Sequence, residues 1–227
     1  MSLTKTEMYY NFVSSNKTIL TDENIMTDKS AKIIRDFMTY IKETDTENFM
    51  RGMLYCFCAP TIKGIKSATL INFRRKKGEN IRELWLSHAD EWLAPLGLEW
   101  ILLDEHSSCD NALVLVYRRG LLAEALGCDK ACDILRSHGY PLHDVDACLE
   151  CLTGKFSGGF PHEIGLFLGY PPDDVRGFME DRRAENLASP GYWKVYGNPD
   201  EARRVFSEYR KAECEAALLI MAGREAI

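Results

Sequence analysis

The sequence predicts an α+β fold: a small, mainly antiparallel sheet of about three or four strands covered by helices, with a helical C-terminal half. Three observations carry this. Two apolar, β-rich runs, Trp100 to Leu103 and Leu113 to Tyr117, flank a short polar stretch and read as an antiparallel pair. A third such run, Ala68 to Phe73, stands alone between helical patterns. From Arg119 onward the pattern is helical, punctuated by glycine and proline.

In chain order, Asp28 precedes Ile33, Ile34, Phe37, Met38 and Ile41, and Asp45 precedes Phe49, Met50, Met53, Leu54 and Phe57. Both sets recur at helical spacing, and the second helix should stop before Pro60. After a Lys- and Gly-containing turn comes the Ala68 to Phe73 strand, then a basic loop from Arg74 to Glu79. Asn80 with Glu83 three residues on resembles a capping box, and Ile81, Leu84, Trp85, His88 and Trp92 then share one helical face until Gly97. Polar Glu105 to Asn111 joins the two strands of the hairpin. Short helices follow over Leu121 to Leu126, Lys130 to Ser137 and Val145 to Leu152, with Gly127, Gly139 and Gly154 at their ends. Pro161 and Pro172 each suit a first helical position. Tyr192 to Tyr196 reads as a strand or an aromatic loop. Asn198-Pro199 opens a long helix to about Ile220 with Val205, Phe206, Tyr209 and Ala216 inside. With no repeat or linker, the expectation is one domain over 1–227, in which 1–45 is a helical N-terminal extension and 46–220 the core.

At 227 residues, with 46% apolar and 27% charged residues, the chain can bury a core without staples. No stretch is long and apolar enough for a membrane span, and the start lacks the layout of a signal peptide, so a cytoplasmic protein is expected. In that setting the eight cysteines, Cys56, Cys58, Cys109, Cys128, Cys132, Cys148, Cys151 and Cys214, read as reduced thiols.

The net charge of −6 hides an asymmetry: Arg51 to Gly78 holds seven bases, Arg51, Lys63, Lys66, Arg74, Arg75, Lys76 and Lys77, and no acid. Such a tract attracts anions. An acidic chain with no recognisable nucleic-acid motif argues against a nucleic-acid partner. Arg74 to Lys77 reads as a solvated loop, whereas Lys63 and Lys66 sit between a cysteine and a strand.

Two later segments are distinctive. One is Phe160-Pro161-His162-Glu163-Ile164-Gly165 running into Leu168-Gly169-Tyr170-Pro171, and the other is Gly191-Tyr192-Trp193-Lys194-Val195-Tyr196. With Cys58-Ala59-Pro60-Thr61 they resemble a bacterial family of about this length described as a domain of unknown function and marked by Pro-His-Glu and Leu-Gly-Tyr-Pro motifs. The resemblance runs from about Phe49 to Tyr209, implies an intracellular bacterial protein, and carries over no catalytic or binding residue.

The motif residues are therefore argued from chemistry. In the first turn of a helix begun by Pro161, His162 would stay neutral and could accept a proton, with Glu163 beside it. Ser157, Gly158 and Gly159 would let backbone approach a ligand. Structurally, Glu163 could instead cap the helix and His162 bond a carbonyl. Cys58 is the best nucleophile among the thiols, with Lys63 and Lys66 favouring its thiolate; a helix C-terminus and burial oppose that, and an inert core thiol is the competing reading. Cys148-x-x-Cys151 invites a metal or cluster, but its place on an apolar helical face favours packing. His88 reads as a core or boundary histidine, and His106, His138 and His143 as solvent-facing. Tyr192, Trp193 and Lys194 could wall a pocket for a flat ligand. Asp173, Asp174, Glu180 and Asp181 read as capping and solvation.

The resulting expectation is a small anionic metabolite or cofactor bound in a cleft between the basic 58–77 segment and the Pro161 helix N-terminus. Cys58, His162 and Glu163 are its catalytic candidates, and Lys63, Lys66, Ser157, Gly158, Gly159, Tyr192, Trp193 and Lys194 its binding candidates. The alternatives are a non-catalytic interaction or regulatory module braced by the motifs, and a cysteine-ligated metal protein. No particular cofactor or protein partner is implied.

Overall fold

The computed structural model describes residues 28–74, 79–103, 111–180 and 191–224. It is α+β, with a three-stranded antiparallel sheet covered by helices and a helical C-terminal half. The expected basic loop at 75–78, the hairpin loop at 104–110 with His106 and Cys109, and Asp181 lie outside the described residues.

The chain begins with α1 (Asp28–Lys42) and α2 (Thr46–Phe57), the latter capped by Asp45, whose carboxylate accepts from Asn48 N at 2.8 Å. A single turn, α3 (Ala59–Ile62), separates Cys58 from the turn that enters β1 (Ala68–Arg74). Asn80 caps α4 (Ile81–Leu93) by accepting from Glu83 N, and a short 3₁₀ turn ends at Gly97 with φ of 62°. β2 (Glu99–Leu102) and β3 (Asn111–Tyr117) pair antiparallel as expected, and β1 lies on the other side of β3.

Alternation along the strands sorts the apolar residues into two cores, one on each sheet face. Ile71 and Phe73 of β1 with Ala112, Val114 and Val116 of β3 meet α1, α2, α4 and the C-terminal helix. Leu70, Leu113, Leu115 and Tyr117 face the other way onto α5 (Arg119–Gly127), α6 (Asp129–Ser137), α7 (Val145–Phe156), α8 (Ile164–Phe167) and α9 (Pro172–Met179). β3 is buried on both faces, which explains why its sequence is a continuous apolar run. The long α10 (Pro199–Met221), capped by Asn198, packs on α1, α2 and α3 with Phe206, Tyr209 and Ala216 inward.

Two expectations about the helices are corrected, and one open reading, the strand or aromatic loop at 192–196, is decided. Pro161 does not start a helix: residues 162–163 form a turn and α8 is only Ile164–Phe167. Its exit is set by Gly169, whose φ of 76° breaks the helix and whose Cβ, if present, would lie 2.7 Å from Ser67 Oγ. Gly154 is inside α7, which continues to Phe156 because that ring packs on the second core and edge-on to Phe160. Tyr192 to Tyr196 is an irregular aromatic loop and not a strand.

Candidate functional site

The turn that carries Lys66 is tied down from several sides. Lys63 N and Ile65 N donate to Ala59 O and Pro60 O, Arg118 N donates to Ser67 O, and Ser67 Oγ donates to Phe167 O at 2.9 Å. The Arg118 guanidinium donates to Ile62 O at 2.9 Å and Leu96 O at 3.3 Å, and the Thr61 and Thr69 hydroxyls share a hydrogen bond of 2.9 Å. Ile65 sits 41% exposed on the surface, whereas the next residue, Lys66, turns inward and is only 8% exposed. The sequence placed Lys66 in a cationic tract; the fold turns it into the interior just before β1, beside the Tyr192 and Tyr209 rings and near Glu213 and Cys58.

The Lys66 ammonium lies 5.5 Å from the Tyr209 ring centroid and 5.9 Å from that of Tyr192, and among the described residues no atom accepts a hydrogen bond from it. Cation–π attraction and the Glu213 carboxylate favour its charge, yet burial dominates and lowers its pKa to about 8. Glu213 is itself buried and already engaged: it accepts from Tyr192 OH at 2.8 Å and Arg210 Nη1 at 2.7 Å. Burial raises its pKa against the pull of Arg210, the Tyr192 hydrogen bond and Lys66. Lys63 stays at the surface, paired with Glu215.

Cys58 shares this interior. It is fully buried in the first core, and burial pushes its thiol up to about 12, outweighing the Lys66 charge and the Thr69 hydrogen bond that pull it down. Cys56, also buried, donates to Glu213 O and is raised for the same reason. Lys66 thus acts on Cys58 in the expected direction, but desolvation is the larger effect.

His162 and Glu163 lie in the layer on the other sheet face. The His162 ring packs between Phe160 and edge-on Phe178, and burial lowers its pKa against the pull of Glu163. Glu163 is buried and accepts from Tyr140 OH at 3.1 Å, with Lys155 Nζ at 3.9 Å. Among the described residues, nothing links His162 or Glu163 to Cys58 by hydrogen bond, ion pair or ring contact. Ser157, Gly158 and Gly159 close the end of α7: Gly158 N donates to Lys155 O and Gly159 N to Phe156 O, so these N–H groups already have partners.

Where the early and late segments do meet is at Ser67, against Phe167 and Gly169, and in the aromatic belt beyond. Tyr170 stacks on Trp193 at 4.7 Å, Trp193 meets Phe206 edge-on at 4.5 Å, and Tyr192 packs on Tyr209. Tyr192 and Trp193 therefore form a wall, and the wall faces Lys66 through Tyr192; Lys194 is exposed, its amine over the Phe178 ring. Asp174 corrects the reading of the acidic residues around α9. It is buried and accepts from Trp193 Nε1 at 2.8 Å, Tyr196 N at 2.6 Å and Gly197 N at 2.7 Å. Its position at a helix start suggested solvation, but the aromatic loop folds over it.

Glu213 and Arg210 were missed from sequence. A signal existed: Ala202, Phe206, Tyr209, Ala216 and Ala217 form the buried stripe of α10, and Glu213 falls within it at helical spacing. Of the other cysteines, Cys148 and Cys214 are buried, Cys148 donating to Pro141 O at 3.1 Å and Cys214 to Ser30 O at 3.8 Å, while Cys128 is exposed. Among the described residues no three His, Cys, Asp or Glu side chains group as metal ligands, and no helix is long and apolar enough to cross a membrane.

No curated protein and no solved structure matches the chain. A family model does, over residues 54–227, which takes in the Lys66 turn, both motif segments and α10. The chain belongs to the family described as a protein of unknown function, DUF3793.

Proposed function

We propose that the protein is a cytoplasmic binding module for a small anion, a carboxylate or phosphate, received at Lys66 between the Tyr192 and Tyr209 rings. One observation carries this reading: a lysine turned into the interior, 8% exposed, whose ammonium finds no hydrogen-bond acceptor among the described residues. Burying such a group costs several kcal/mol unless it is bonded, and an incoming anion would provide the missing acceptor. The firmly held turn supports it, since a binding group is most effective when its backbone is already in place.

In this reading the Pro-His-Glu and aromatic-loop segments are braces. Asp174, with three donors, and the Tyr170–Trp193 stack hold Tyr192 against Lys66 and Glu213. The four-residue α8 offers no helix-terminal anion site, so the reading rests on the Lys66 ammonium, with Arg210 already engaged by Glu213; no nucleic-acid or membrane partner is part of it. The cysteines are reduced, and Cys58 is a core thiol without catalytic duty.

The test is thermal unfolding of the full chain in lactate or inorganic phosphate against chloride at equal ionic strength. A saturable rise in Tm of a few degrees is expected, and it should be absent in Lys66→Met. An equal rise in both proteins would overturn the reading.

A further inference from the structure

We propose that Lys66 is a reactive amine that condenses with the carbonyl carbon of a small 2-oxoacid to form an imine. This rests on the anion-binding reading above and adds the chemical class of the ligand. Three features of the geometry support it. The residue is turned inward and only 8% exposed, and none of the described residues holds its amine in a hydrogen bond, so the amine is free to meet a ligand. Its two neighbours are ring faces, Tyr192 and Tyr209, against which a flat carbonyl or imine carbon can lie. Glu213, the nearby carboxylate, is occupied by Tyr192 and Arg210, so it supplies negative potential without trapping the amine in an ion pair.

The chemistry balances without a further reagent. The ammonium releases one proton to solvent, and the free amine attacks the carbonyl carbon. The carbinolamine loses the former carbonyl oxygen as water, with both amine hydrogens leaving, and an imine remains. Protonated, that imine is again a cation over the same two rings, while the carboxylate of the oxoacid becomes the counter-charge the site lacks. The first step is eased because burial lowers Lys66 to about 8, so near neutral pH far more of it is free amine than of a surface lysine. The groups facing it from the surrounding elements are Cys58 at the α2–α3 junction, Glu213 and Tyr209 of α10, and Tyr192 of the aromatic loop, with Arg210 behind them on Glu213 and the Tyr192 ring. None of the other groups offers a competing amine.

The experiment is reductive trapping on the intact chain. Pyruvate with cyanoborohydride is added at pH 7.5, modified lysines are counted by peptide mass spectrometry, and Tm is measured in pyruvate and in lactate, its hydroxy counterpart. Expected is modification at Lys66 about tenfold above that at exposed lysines such as Lys63 and Lys194, suppressed by excess lactate. Modification spread evenly over the surface lysines would overturn the proposal. If both acids raise Tm and no adduct forms on Lys66, imine formation is overturned and anion binding stands. A Lys66 adduct without any Tm response to lactate would uphold the reactive amine and remove the separate anion-binding reading. The wild-type labelling pattern is informative even if a Lys66 variant fails to fold, and Lys66→Arg, which keeps the charge and loses the amine, should retain the response to lactate.

Discussion

Two regions of this molecule bury charge, and they do so in opposite ways. Around α9, Asp174 sits under the aromatic loop with three donors aimed at it, two of them backbone N–H groups. Around the entry to β1, Lys66 is buried with aromatic faces beside it and no acceptor among the described residues. A charge fully met by hydrogen bonds stabilises the chain conformation around it; a charge that is not met raises the free energy of the folded state. The first pattern is that of a brace and the second that of a group kept for a ligand.

The sharpest way to break this comparison is Asp174→Ala. It leaves Trp193 Nε1 and the N–H groups of Tyr196 and Gly197 without their acceptor, and a loss of about 3–5 kcal/mol in urea unfolding is expected. A loss below about 1 kcal/mol would remove the brace interpretation. Lys66→Met should act in the opposite direction, leaving stability at pH 7 unchanged or raising it by about 1–3 kcal/mol, because a methionine of similar length fills the space without a charge.

The pH dependence sharpens the same contrast. Lys66 titrates at about 8 in the folded chain against an ordinary 10.5. Below pH 8 it is protonated folded and unfolded, and its burial penalty is fully present. Between about pH 8 and 10.5 the unfolded chain binds more protons than the folded one, so this group makes stability rise with pH. Cys58, raised to about 12, works the other way, since stability it contributes is lost as pH climbs from about 9 toward 12. The wild-type minus Lys66→Met stability difference should therefore increase from pH 8 to 10, and a flat difference would contradict the buried, unpaired state of Lys66.

The smallest effect concerns Cys58. With its thiol buried and raised, iodoacetamide at pH 6–8 should leave it unlabelled in the folded protein while exposed Cys128 reacts. Labelling of Cys58 below neutral pH would restore it as a nucleophile.

Much of the architecture was legible because it rests on local rules. The capping residues Asp45, Asn80 and Asn198 mark helix starts that the structure keeps, and β-rich runs of the right length became the three strands. The misread glycine and proline positions differ in kind: Gly154 is carried inside α7 by the ring contact of Phe156 with Phe160 four residues on, while the exit of α8 is set by Gly169 against the remote Ser67. Of the site, Lys66 and Tyr192 were visible as residue types, but the basic tract suggested a surface. Glu213 was hidden within the apolar stripe of α10, where spacing marks a position as buried and does not say which partner meets it there.

By itself, then, the sequence determined the elements, their order and the α+β class, because propensity, capping and apolar period act within a few residues of one another. Only the tertiary structure decided that Lys66 faces inward, that Glu213, held by Arg210, approaches it from the far end of the chain, and that His162 packs on the opposite side of the sheet from Cys58. Electrostatic environment depends on which groups are near in space and how much water they exclude, and both follow from which face of the sheet each segment packs on.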